Sequence, residues 1–131
     1  KAKAFERVVF NVAFNNRDDH PKNFAYLMSA DGNWTLAPAY DVTWCEGPGG
    51  YHQMDVLGEA LDIERKHLQL LGVQEAELSA DQVNAIIEKI CHSAIGLSAI
   101  ASDKYPDQIT QTTLDTIQKQ INDNVRRLLS R

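Results

Sequence analysis

The chain reads as a mainly α-helical domain carrying one β-hairpin, and three observations give that class. Apolar residues recur at helical spacing through most of its length, two short strand-forming runs flank an Asp-Gly turn, and the remaining segments are short and rich in Gly, Pro, Asn and Asp. Residues 3–14 predict the first helix, with Phe5, Val8, Val9, Val12 and Ala13 on one face. Asn15-Asn16-Arg17-Asp18 breaks that period, and Pro21 biases His20 away from helical geometry. Phe24–Met28 and Trp34–Ala37 enclose Ser29-Ala30-Asp31-Gly32-Asn33, the pattern of a hairpin. Pro38 ends its second strand. Gly47-Pro48-Gly49-Gly50-Tyr51 reads as a flexible loop, after which the chain turns helical. Asp62–Leu71 predicts a short helix with Ile63, Leu68 and Leu71 on one side and Gly72 as its left-handed C-terminal cap. Ser79 and Gln82 form a capping box ahead of a long helix whose stripe is Val83, Ile86, Ile87, Ile90, Ala94 and Leu97. Pro106 interrupts, and a last helix carries Leu114, Ile117, Ile121, Val125 and Leu128.

The totals bound the class of function. A chain of 131 residues, 44% hydrophobic and 24% charged, suits one globular domain with a real core. A net charge of −5 argues against generic nucleic-acid binding, which rests on a basic surplus. Cys45 and Cys91 lie far apart without metal-ligand spacing, so both read as free thiols in a reducing, cytoplasmic compartment. No apolar run reaches the roughly 18 residues of a membrane span, and no membrane partner is expected. The chain opens on Lys1 with helical pattern almost at once, which reads as a segment of a longer protein.

The chemistry concentrates in Asp18-Asp19-His20-Pro21-Lys22-Asn23, with Asp41 just beyond the hairpin. An acid, an amide five residues on and a later acid suit phosphoryl transfer. One carboxylate accepts a hydroxyl proton, while Asn and Asp oxygens hold Mg²⁺ against the phosphates. The Asp18-to-Asn23 spacing equals that within the protein-kinase loop H-R-D-x-x-x-x-N. Asn16, however, replaces the His of that motif, a histidine follows the acid at His20, and Asp41-Val42-Thr43 is not D-F-G.

With Leu36-Ala37-Pro38-Ala39-Tyr40-Asp41-Val42, the segment Asn16–Phe24 resembles the HipA-like serine/threonine kinases, in which a D-x-H-x-K-N loop precedes a hairpin and a P-x-Y-D segment. The resemblance covers about residues 5–45. It implies a single domain over residues 1–131, the C-terminal helical lobe of a HipA-like kinase fold related to the phosphatidylinositol 3/4-kinases. The catalytic loop and metal site would occupy 15–45, and the helical remainder 55–131. It further implies Asp18 as catalytic base, Asn23 and Asp41 as Mg²⁺ ligands, and His20 and Lys22 as residues that shape the loop or approach the phosphates of ATP. The implied partners are ATP, a protein substrate with a Ser or Thr acceptor, and a small DNA-binding antitoxin of a bacterial toxin–antitoxin pair. A phosphate-gripping loop and a Lys–Glu pair are not visible in the sequence, and their expected place is an N-terminal lobe.

Other readings stand beside this one. Asn and Asp also cluster in turns, so Asp18 and Asn23 alone are compatible with a tight connection. Asp18-Asp19-His20 is the donor set of a metal-dependent phosphoesterase, although no second such cluster appears. A non-catalytic helical interaction domain retaining the loop as a relic is the third possibility. Asp19 reads as a loop-structuring or solvent-facing residue rather than a metal ligand. His52 is a candidate to meet substrate beside the Gly-rich stretch, His67 and His92 read as helical surface or satisfied core, and Trp34 and Trp44 as packing around the hairpin. Arg126-Arg127 suits the last turn of a helix.

Overall fold

The computed structural model describes residues 1–130. Helix α1 (Ala2–Ala13) buries Phe5, Val9, Val12 and Ala13, the face that the sequence period selects. A short 3₁₀ turn at Pro21–Asn23 leads into strand β1 (Tyr26–Met28), which pairs antiparallel with β2 (Trp34–Leu36), Leu27 facing Thr35. A further bond from Ala37 N to Ala25 O extends the pairing by one step at 2.8 Å. Gly32 takes a positive φ in the turn, and the Asp31 carboxylate accepts from both Ser29 Oγ and Asn33 Nδ2.

A two-stranded ribbon is marginal alone, and this one leaves Tyr26, Leu27, Met28 and Trp34 exposed. Its base is tied to α1 instead. Arg7 Nη2 donates to Ala37 O at 3.0 Å, and the same guanidinium lies over the Phe24 ring. Trp34, expected as a packing residue, is 66% exposed because the hairpin meets α1 only near its base.

Helix α2 (Arg65–Leu70) starts later than the sequence period implies. The Glu59 carboxylate accepts the amides of Leu61 and Asp62, at 2.8 and 2.9 Å, and holds that stretch as a turn. Those bonds keep the Glu59 carboxyl below its ordinary pKa. Glu64 N then donates to His67 Nδ1 at 2.9 Å at the start of the helix. Gly72 is not a left-handed cap. It is buried within a π-turn (Leu71–Glu75) that continues α2, where a Cβ would lie 2.5 Å from Val83 Cγ2 and 3.0 Å from Phe5 Cζ. Glycine is required there by close approach rather than by its φ.

Helix α3 (Ala80–Ile95) opens on the capping box, Gln82 N donating to Ser79 Oγ and Ser79 N to Gln82 Oε1. It packs against both α1 and the last helix, α5 (Gln111–Leu129), through Val83, Ile87, Cys91 and Ala94. The expected single run through Leu97 breaks at Gly96, and α4 (Leu97–Lys104) departs at 49°. Gln118, from α5, bridges the break: its Nε2 donates to Ala94 O and its Oε1 accepts from Ser98 N. Backbone groups freed by the bend are thereby satisfied.

The core joins Phe5, Val9, Ile63, Leu68, Ile87, Ile121, Val125 and Leu128 across four helices and the segment before α2. A buried cation crosses its edge: Arg65, 5% exposed, donates to Asn84 Oδ1 and Glu88 Oε1 and, through Nη1, to Leu128 O. Arg127 does more than complement the helix dipole, since it donates to Leu61 O and Asp62 Oδ1 and fastens α5 to the turn before α2. Cys91 is fully buried, and burial pushes its thiol up to about 11. No single helix among the described residues is long and apolar enough to cross a membrane.

Substituting Gly72→Ala forces a methyl group into the contact with Val83 and Phe5. The expected cost is about 1–3 kcal/mol of overpacking, read as a lowered denaturation midpoint with an unchanged m-value.

Candidate functional site

In the segment that leaves α1 the only apolar side chain between Asn15 and Lys22 is Pro21, which is exposed, so burial of apolar surface cannot hold it. Polar side chains pointing inward hold it instead. Asn15, Asn16 and Asp19 are buried, while Arg17, Asp18 and His20 between and beside them are partly exposed. Asn15 adopts φ +60°, a left-handed conformation that Asn tolerates better than most residues, and turns the chain out of the helix. Asn16 Nδ2 donates to Asn11 Oδ1 at 3.1 Å, back onto α1.

Asp19 is the deepest fastening. Its Oδ2 accepts from His52 Nδ1 at 2.9 Å, and its Oδ1 accepts from the amides of Gln53 and Met54, at 2.8 and 3.3 Å. The carboxylate is 5% exposed and faces the protein, so it is a loop-structuring residue. That geometry separates it from Asp18 and His20 and dissolves the three-residue cluster a phosphoesterase would use. It also accounts for His52, whose ring is buried against Asp19 rather than open to substrate.

Asp18 and Asn23 are brought together. Asn23 Nδ2 donates to the main-chain carbonyl of Asp18 at 2.8 Å, which commits the amide nitrogen to the loop and leaves Oδ1 as the acceptor. The Asp18 carboxylate is 43% exposed, with His20 Nε2 at 3.7 Å. His20 Nδ1 is buried and has no hydrogen-bond partner. Lys22 is exposed on the short 3₁₀ turn.

Asp41 is held from both sides. Before it, Tyr40 Oη donates to Lys22 O at 2.8 Å. After it, residues 42–45 return alongside the start of the loop in a parallel bridge, Cys45 N donating to Asn15 O at 3.0 Å and Arg17 N to Cys45 O at 3.3 Å. The stretch carrying Asp41 is thus pinned next to Asn23 at one end and next to Arg17-Asp18 at the other. Asp41 itself is exposed and takes φ +52°. Aspartate, like Asn15, enters that left-handed region more readily than most residues.

The Gly-rich stretch is neither a phosphate cradle nor a free loop. It folds as a 3₁₀ turn (Pro48–Gly50) around Arg17, with Gly50 N donating to Gly47 O. A Cβ on Gly47 would lie 2.3 Å from Tyr51 O and 2.8 Å from Arg17 Cβ. Arg17 Nη1 donates to Glu46 O, and burial, reinforced by nearby Arg127, lowers the guanidinium from its ordinary pKa.

The two expected Mg²⁺ ligands, Asn23 Oδ1 and the Asp41 carboxylate, are both oxygen donors. Such a set fits Mg²⁺, which binds through few protein ligands and completes its shell with water and substrate phosphates. Among the described residues, no three His, Cys, Asp or Glu side chains group as a metal cluster of their own. Sequence reasoning gave Asp19 a loop-structuring place but missed its partner His52, and missed Asn15 and Tyr40 as parts that shape this site. The one available signal was the Pro-Ala-Tyr-Asp run, which placed a hydroxyl beside the acid.

A family model described as HipA-like C-terminal domain matches residues 1–97 of the chain. That span contains the loop, the hairpin, Asp41 and helices α1 to α3. No curated protein matches the chain.

Replacing Asp19 by Ala leaves the His52 ring and the Gln53 and Met54 amides facing a buried gap. The expected loss is about 2–3 kcal/mol of stability, read by denaturant unfolding, with faster proteolysis between Gly47 and Met54 at sub-denaturing concentrations.

Proposed function

The chain belongs to the HipA-like C-terminal domain family, and we propose that it is the catalytic lobe of an ATP-dependent serine/threonine protein kinase. One observation carries the reading: Asn23 is bonded through its nitrogen to the Asp18 carbonyl, so its oxygen is presented on the same short loop as the Asp18 carboxylate. Tyr40 and Cys45 bind the Asp41 stretch to that loop on either side.

In this reading Asn23 Oδ1 and the Asp41 carboxylate hold Mg²⁺. The ion supplies charge neutralisation for the β- and γ-phosphates of ATP. The Asp18 carboxylate orients the acceptor Ser or Thr hydroxyl and takes its proton as the oxygen bonds to the γ-phosphorus. The bond from that phosphorus to the β–γ bridging oxygen breaks, and ADP leaves. Positioning and fixed charge contribute most of the rate, because the reaction asks for no covalent intermediate on the protein. The His20 ring, partly exposed with Nε2 3.7 Å from the Asp18 carboxylate, shapes the loop or approaches the phosphates. Lys22, exposed on the same turn, is free to approach the phosphates. A second lobe supplies the adenine roof and the Lys–Glu pair, so residues 1–131 alone transfer phosphate poorly.

The HipA-like family supports a kinase and toxin–antitoxin context in general, and we extend the reading to a toxin acting in the bacterial cytoplasm beside a DNA-binding antitoxin. A second reading, a non-catalytic interaction domain, is favoured by the exposed apolar ribbon. Tyr26, Trp34 and Leu36 line a groove of about 600 Å³ together with Phe5, Val8 and Leu71. Nucleotide binding that requires Mg²⁺ separates the two.

In the intact protein, Asp18→Asn abolishes phosphate transfer to protein while nucleotide affinity stays within about threefold, since the base acts only in the transition state. Asp41→Asn weakens Mg·ATP binding as well, by roughly tenfold or more. Both follow from radiolabelled phosphate transfer and calorimetric titration. Full activity in both variants would sink the role assignment.

A further inference from the structure

We propose that Asn124, on α5, is a positioning residue for the Asp18 loop, acting through Asn15. The inference rests on the phosphoryl-transfer reading and extends it to a helix outside the family match, which covers residues 1–97.

Asn124 is 3% exposed and lies on the apolar face of α5, in step with Ile117, Ile121 and Leu128. A buried amide on a core stripe carries a desolvation cost and is tolerated only when every polar atom finds a partner. Here each does. Asn124 Oδ1 accepts from Arg127 Nη2 at 2.8 Å and from Gln120 Nε2 at 3.2 Å. Its Nδ2 donates to Asn15 Oδ1 at 3.0 Å and to Ala13 O at 3.5 Å. Asn15, with no exposed surface, passes the relay on by donating from Nδ2 to Cys45 O at 3.2 Å.

The relay has one sense. The Arg127 guanidinium brings only donors, so the Asn124 oxygen must face it, with Gln120 turning its amide nitrogen to the same oxygen, and the Asn124 nitrogen must face Asn15. Asn15 must then offer its oxygen to α5 and its nitrogen to Cys45. Both amides are orientated by a guanidinium that is itself fixed on Asp62 and Leu61 O. What they orientate is the left-handed residue from which the loop leaves α1, together with Cys45, the end of the segment that follows Asp41. One side chain from α5 therefore braces Asn15, the residue at which the two halves of the site meet through the main-chain bond from Cys45 N to Asn15 O.

Substituting Asn124→Asp separates this arm from the rest of the helix. A carboxylate still accepts from Arg127 and Gln120 but cannot donate to Asn15. Either two oxygens face each other, or Asn15 turns over and abandons Cys45. Gln120→Met is the counterpart, removing a bond on the α5 side and leaving the loop-directed arm intact.

The experiment uses the intact protein and reads two quantities. Steady-state kinetics should show Asn124→Asp lowering kcat by about tenfold or more with KM for ATP within about threefold, the signature of misplaced groups rather than lost binding. Hydrogen exchange should accelerate by about tenfold or more at the Arg17 and Cys45 amides, which bond across the two segments, while Ile87–Cys91 in α3 keeps its protection. Gln120→Met should leave both readings near wild type. An unchanged kcat overturns the proposal, as does exchange that rises equally in α3, the mark of general destabilisation. Should the wild-type protein transfer no phosphate, the kinase reading fails, and exchange alone judges the Asn124 arm. Absence of local acceleration then overturns it.

Discussion

A loop that must present carboxylates to solvent cannot be held by hydrophobic burial, and the buried Asp19 carboxylate is the fastening on which this site depends. Three donors converge on it, from His52 and from the Gln53 and Met54 amides. They join the loop after α1 to a segment more than thirty residues away, Asp19 and His52 being 33 apart. Adjacent residues then divide the work. Asn15, Asn16 and Asp19 face inward and make the bonds, while Asp18 and His20 face out and remain available. A buried and bonded carboxylate beside an exposed one is how neighbouring acids come to hold different roles.

The helical body acts as a frame for that arrangement. Helix α3 lies between α1 and α5, so the two helices that touch the loop, α1 by continuity and α5 through Asn124, are fixed relative to each other by one apolar core. Close approaches keep the frame compact. Gly72 lets the π-turn after α2 meet Val83 and Phe5, Gln118 satisfies the backbone opened at Gly96, and Arg65 joins α2 to α3 and α5. The hairpin stands apart from this core. Its role is to return the chain so that Tyr40 reaches Lys22.

Much of this was legible in the sequence, and what was not has a common cause. The helical stripes, the Asp-Gly hairpin and the Ser79–Gln82 box are local patterns, expressed within a few residues, and the structure carries them, save that the run through Leu97 breaks at Gly96 and α2 begins at Arg65. The acid–amide–acid order of Asp18, Asn23 and Asp41 is itself a sequence pattern, and the roles given to it are the proposal made above. Misread features came from contacts between distant segments. Gly72 resembles a cap until Val83 and Phe5 are in place. Trp34 resembles a packing residue until the ribbon is seen to leave the body. Asp19 with His52, and Asn15 with Asn124 at a separation of 109 residues, leave no period behind. Asn124 did leave one trace, a polar residue at a position where the stripe of α5 calls for an apolar one.

The family match spans the loop, the hairpin and Asp41, and the geometry adds the Asn23 and Asp41 oxygen donors on two segments bonded side by side. The central claim is that this set holds a divalent cation together with nucleotide. Paramagnetic broadening by Mn²⁺ in place of Mg²⁺, with a non-hydrolysable ATP analogue and the intact protein labelled with ¹⁵N, tests it most directly. The account predicts nucleotide-dependent loss of the Asn23 and Asp41 amide signals and their neighbours, with the α4 signals intact. Broadening centred on any other acidic stretch, or none at these residues when nucleotide is bound, would contradict it.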